Sequence, residues 1–125
     1  MTLAHWCVLA AALLPYLFTG LAKSSARYDN RAPRRWLEQL EGWRRRAHWA
    51  QLNSFEAFAP FAAGVIIAHQ AGAQGGAVDA LAAGFVVLRL AYGLLYISDR
   101  PAARSLVWTA AFGCVLGLFA LAAAA

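Results

Sequence analysis

No Asp, Glu, Lys or Arg occurs in the first twenty-two residues, and Leu3–Ala22 is a nearly continuous apolar run. At 1.5 Å per residue these twenty residues make a helix about 30 Å long, the thickness of a bilayer's hydrocarbon core. With no water in that core, every backbone N–H and C=O must find its partner within the segment, which a helix allows. A cleaved signal peptide would need a positively charged start and a shorter apolar stretch, so this segment is expected to remain as a first membrane helix. Pro15 removes one helical hydrogen bond and predicts a kink.

The rest of the chain repeats this pattern. Apolar stretches at about 47–70, 77–97 and 102–121 predict three more membrane helices, joined by the tight turns Gly72–Gly76 and Ser98–Pro101. With 62% hydrophobic and 14% charged residues, the chain is too apolar for a soluble domain, and 125 residues allow one domain only. The expected fold is therefore all-α: an integral membrane four-helix bundle spanning residues 1–125, left-handed and up-down-up-down.

Charge orients it. Eight of the eleven Lys and Arg lie between Lys23 and Arg46, and the other three are Arg89, Arg100 and Arg104. Both basic turns thus fall on one side, which predicts a cytoplasmic face there and both termini on the periplasmic or lumenal side. A net charge of +5 would suit nucleic acid if it formed a stripe, but this block is compact, so membrane lipids are the expected partner and nucleic acid is not. Within the block, Trp36, Leu37, Leu40 and Trp43 share one helical face after Pro33. That spacing predicts an interfacial helix over about 33–46 with its tryptophans at headgroup level. Cys7 and Cys114 sit in apolar surroundings without metal-ligand spacing and read as small buried hydrophobes.

Against this background Glu56 stands out. If the second membrane helix enters near Ala47, Asn53 lies about 9 Å deep and Glu56 about 14 Å deep; Arg89, on the antiparallel third helix, lies about 12 Å deep. A lone charge at mid-helix costs about 2.5–3.5 kcal/mol, so opposite charges at one level are expected to pair. Asn53 and Glu56 share one helical face, and Arg89, Tyr92 and Tyr96 share another. Arg104 and Ser105 open the fourth helix, whose free N–H groups favour an anion, and Lys23 closes the first at the same level. All four helices thus send polar groups to the cytoplasmic half, against His5 and His69 alone at the other. A pure packing role explains Glu56, Arg89 and Asn53; the extra cations and tyrosines suit a small anionic ligand better. His5, His48 and His69 lie on separate segments, so neither a haem nor a metal site is expected.

Asn53-Ser54-Phe55-Glu56 with Pro60-Phe61, then Arg89-x-x-Tyr92-x-x-x-Tyr96 and Arg104-Ser105, resemble the signature of the MAPEG family, the membrane-associated proteins of eicosanoid and glutathione metabolism. The resemblance covers nearly the whole chain. It implies a homotrimer, bacterial in type and of the inner membrane, binding glutathione as cosubstrate between neighbouring subunits near the cytoplasmic face. In that picture Lys23 holds a glutathione carboxylate, Asn53 and Glu56 meet the peptide, and Arg89, Tyr92 and Tyr96 line the pocket. Arg104 matches the arginine proposed to hold the thiolate, with Ser105 as a second donor. The implied function is a glutathione transferase or peroxidase acting on hydrophobic electrophiles or lipid hydroperoxides. Leu52 and Trp108 depart from residues that some eicosanoid-forming members carry, and the turn before Arg104 is a residue shorter than in the prostaglandin E synthases. Two other readings remain: a non-catalytic lipid-binding or scaffold member, and a small proton-coupled exporter using Glu56. Against the exporter, Glu56 has a cation at equal depth.

Overall fold

The computed structural model describes all 125 residues, Met1–Ala125. It contains five helices and no strand: α1 (Leu3–Ala22), α2 (Pro33–Glu38), α3 (Gly42–Gln70), α4 (Gly76–Ile97) and α5 (Pro101–Ala124). Three of them, α1, α4 and α5, are long and apolar enough to cross a membrane. Most of their apolar surface points outward: Val87 is 67% exposed and Leu106 73%. Surfaces of that kind are stable in lipid, and the chain is an integral membrane protein.

One expectation is corrected here, and one is met in part. The continuous interfacial helix over 33–46 is divided: α2 stops at Glu38, and α3 begins at Gly42. Gly42 has φ +63°, a left-handed conformation open to glycine at no steric cost, so the chain turns there instead of continuing. Arg44, Arg45 and Arg46 consequently belong to α3, which bears on the second expectation. Where four membrane helices were expected, three meet the length and hydropathy of a span, because α3 carries those arginines together with His48, Gln51, Asn53 and Glu56. Its 29 residues make a rod about 43 Å long, about 13 Å more than a bilayer core requires.

Helices α3 and α4 form the central diagonal, each packed against the other three long helices, while α1 and α5 flank them. Phe61 of α3 stacks face to face on Phe85 of α4 with ring centroids 3.9 Å apart, surrounded by Cys7, Ala11, Val65, Val115 and Leu118. In lipid such contacts gain little from leaving the solvent, since acyl tails are as apolar as leucine; close fit supplies the energy. Small residues provide it. A Cβ added to Gly64 would lie 3.3 Å from Leu118 of α5, and Ala68 is fully buried, so both small residues of α3 serve packing within the chain.

The ends are tied by polar contacts. Thr2 and His5 form a capping box at the start of α1, the Thr2 hydroxyl bonds His69 Nε2 at 3.0 Å, and the Ala4 N–H donates to Asp79 at 2.9 Å. This joins α1, α3 and α4. At the opposite end Arg46 Nε donates to the Ile97 carbonyl at 3.0 Å, satisfying an orphan acceptor at the end of α4. Leu37 of α2, buried with Ala22 and Ala47, anchors the short helix to the same end.

Candidate functional site

The residues that drew attention in the sequence meet at this second end, where α3, α4 and the start of α5 converge. Arg89 is the largest fully buried side chain, 2% exposed. Its Nη2 donates to Asn53 Oδ1 at 2.8 Å, and Asn53 Nδ2 lies 3.4 Å from Glu56 Oε2. The expected pairing of Glu56 with Arg89 therefore runs through Asn53. The amide relays between guanidinium and carboxylate, and the carboxylate of Glu56 is left exposed.

An aromatic series continues outward from Arg89. Its guanidinium lies 4.2 Å from the Tyr92 ring centre; Tyr92 meets Tyr96 edge to face at 5.7 Å; the Arg104 guanidinium lies 4.2 Å over Tyr96. Guanidinium planes are held well by ring faces, and two arginines on two tyrosines fix a cationic wall that Glu56 reaches only through Asn53. Helical spacing makes this possible, since Arg89, Tyr92 and Tyr96 lie three and four residues apart. Arg104 joins from the first turn of α5, where Pro101 at N1 leaves the N–H groups of the next residues pointing out of the helix.

Two hollows border Asn53 and Glu56. One, of about 340 Å³, is lined by Trp49, Leu52, Asn53, Glu56, Tyr92 and Tyr96. The other, of about 150 Å³, runs deeper between α3, α4 and α5, with Asn53, Glu56 and Arg89 at its polar side and Pro60, Phe85, Trp108 and Phe112 among its apolar walls. Pro60 has no N–H to give to the Glu56 carbonyl one turn earlier, so that carbonyl loses its usual intrahelical bond on the face lining this cavity.

Six of the eight predicted site residues thus gather: Asn53, Glu56, Arg89, Tyr92, Tyr96 and Arg104. Lys23 does not join them within the chain; its ammonium lies 5.0 Å from the Tyr28 ring centre. Ser105 is exposed, and its recorded bond is through its carbonyl, to the Thr109 hydroxyl. Trp49, Trp108 and Phe112 were missed as wall residues. Spacing held a clue, because Trp49, Asn53 and Glu56 follow one face of α3, and Arg104, Trp108 and Phe112 follow one face of α5. Asp79, at the far end, was missed entirely.

Asn53→Ala is expected to destabilise the protein by about 2–3 kcal/mol, because it leaves a buried guanidinium without its hydrogen-bonded acceptor. Thermal unfolding in detergent measures this, with Glu56→Gln expected to shift the midpoint far less.

The family model of the membrane-associated proteins that this motif set resembles, MAPEG, matches residues 3–124. The chain belongs to the MAPEG family. No curated protein and no solved structure matches it. MAPEG membership covers glutathione-dependent transferases and peroxidases as well as members without catalysis. In this MAPEG chain the match includes every residue of the cluster, from Asn53 to Arg104.

Proposed function

We propose that this MAPEG protein is a glutathione-dependent transferase or peroxidase acting on hydrophobic electrophiles or lipid hydroperoxides. In this reading α3 is the fourth span of a transmembrane four-helix bundle, its arginine-rich first turn standing in the headgroup layer on the cytoplasmic side of a bacterial inner membrane. Three copies assemble, and glutathione lies between neighbouring protomers. The observation that carries the reading is the placement of Arg104: a partly buried guanidinium at a helix start, laid on the ring of Tyr96, which itself lines the larger hollow, with Trp108 of the smaller one a turn further along α5.

The residues suit that chemistry. A thiol with a pKa near about 8.5 is mostly protonated at neutral pH, and an adjacent guanidinium favours the thiolate, which is the nucleophile. Tyr96 holds the plane of Arg104, and Arg89 with Asn53 fixes the inner wall, so the positive potential is set before any ligand arrives. Glu56, exposed beside the larger hollow, is an acceptor for an amino group. Lys23 of the partner subunit would complete the site by taking a carboxylate, which accords with its standing apart from the cluster in its own chain. The smaller cavity, walled by Trp108 and Phe112, admits an apolar group from the lipid side.

Titrating the purified protein with glutathione while following ultraviolet thiolate absorbance tests this. A saturable signal is expected; its absence at millimolar glutathione would defeat the reading. A non-catalytic member is the second possibility, favoured by one observation: Arg89 and Asn53 already satisfy each other, as a packing contact would.

A further inference from the structure

A third hollow, of about 730 Å³, lies between α2 and the first half of α3. It shares Trp49 and Leu52 with the 340 Å³ hollow but contains none of Asn53, Glu56, Arg89 or Arg104, and the glutathione reading makes no use of its α2 side. Its walls change character along α3. Arg45 and His48 stand at the end nearest α2, and Leu52 and Phe55 follow, about 10–15 Å further along the helix from Arg45. Leu52 is 47% and Phe55 44% exposed, an apolar floor that nothing in the chain covers, although Tyr16 of α1 meets the Phe55 edge at 5.8 Å. From α2, Arg34 and Glu38 contribute to the opposite wall, and buried Leu37 between them holds that turn in place.

The polar end has an unusual composition. Two guanidiniums alone would suit any phosphate, since the planar fork of arginine matches phosphate oxygens. Glu38, one turn after Arg34, adds a carboxylate to the same wall. It repels a second negative charge and accepts hydrogen bonds from an ammonium. The Arg45 guanidinium rests 5.6 Å from the Trp49 ring centre, so its fork is held at the level where a membrane protein meets lipid headgroups.

We propose that this groove binds a phospholipid whose head carries both a phosphodiester and a primary ammonium. Arg34 and Arg45 take the phosphate, Glu38 takes the ammonium, and Leu52 and Phe55 receive the first part of an acyl chain. The chain-length floor sets the source: a soluble phosphate ester would leave Leu52 and Phe55 uncovered.

Native mass spectrometry of the detergent-purified full chain, with lipids of identical acyl chains and ethanolamine, glycerol or choline heads added in turn, tests the proposal without reference to glutathione. The ethanolamine lipid is expected to be retained most strongly. Arg34→Ala with Arg45→Ala should weaken its retention by about thirtyfold, given the usual contribution of each headgroup-level arginine. Glu38→Gln, a separate variant, should erase the preference for ethanolamine over glycerol. Equal retention of all three heads, stronger retention of the glycerol lipid, or equal binding of soluble glycerophosphoethanolamine would overturn it. So would arginine variants that keep the lipid and lose oligomer mass, which would mean that a second copy of the chain fills the groove.

Discussion

Arg104→Ala is expected to abolish most of the glutathione thiolate signal and to lower turnover by about a hundredfold or more, the usual effect of removing one preorganised donor from a developing anion. Arg104 sits at the first turn of α5, partly exposed, and contributes nothing to the Phe61–Phe85 core, so folding and assembly should survive its loss. The readout is therefore specific: thiolate absorbance falls while the size of the detergent complex stays the same. Arg104→Lys separates charge from shape. An ammonium keeps the positive potential but cannot lie flat on Tyr96 as a guanidinium does, and an intermediate signal is expected. Unchanged absorbance in Arg104→Ala would sink the role assigned to this residue.

Gly93→Ala is expected to cause the largest loss of stability in the protein, about 4 kcal/mol or more. A Cβ at this position would overlap the ring of Phe18, which is itself fully buried where α1 crosses α4. Rings in a close-packed interior have nowhere to retreat, so the helices must separate or the ring must leave its rotamer. Gly113→Ala offers the contrast. Nothing lies within 4 Å of a Cβ there, and replacing a mid-helix glycine should be neutral or slightly stabilising. Adding Phe18→Leu to Gly93→Ala should recover part of the loss, and the coupling between the two sites measures the contact directly. Thermal midpoints of the parent, the two glycine variants, Phe18→Leu and the double variant decide it; a Gly93→Ala protein as stable as the parent would show that α1 and α4 do not meet at this point.

Apolar length alone located α1, α4 and α5, because the bilayer imposes a minimum number of residues per crossing. Depth arithmetic brought Asn53, Glu56 and Arg89 to one level, yet it matched the arginine to the wrong neighbour. Asn53 and Glu56 differ by one helical turn, about 4.5 Å, and the point where α3 meets the surface is not written in the residues to that accuracy. A long side chain such as Arg89 spans the difference easily, and it found the amide. The division between α2 and α3 was hidden for another reason. Trp36, Leu37, Leu40 and Trp43 fit a continuous amphipathic helix, and Gly42 tolerates helical as well as left-handed geometry, so the surrounding packing decides. Trp108 and Phe112 share a face with Arg104, but beyond its first turns α5 is apolar all round, so that spacing alone did not mark them as walls. Where a helix has no sustained polar face, its residues say little about its rotation about its own axis. The bond from Ala4 to Asp79, between residues 75 positions apart, depends on that same rotation in α1 and α4.

The two ends of the molecule are tied by polar links of different length. Near Thr2, short side chains and backbone groups clamp α1, α3 and α4 at bonding distances of 2.9–3.0 Å. Near Arg104, the polar links are long arginine stems, Arg46 to the Ile97 carbonyl and Arg89 to Asn53, while the buried ring of Phe18 against Gly93 holds α1 to α4 by packing. A short link fits one spacing between helix ends, whereas a long stem can keep its bond over a range of spacings, as a hinged strut does. The hollows lie at the strutted end, so a group of variable size can be admitted there without a backbone hydrogen bond being given up.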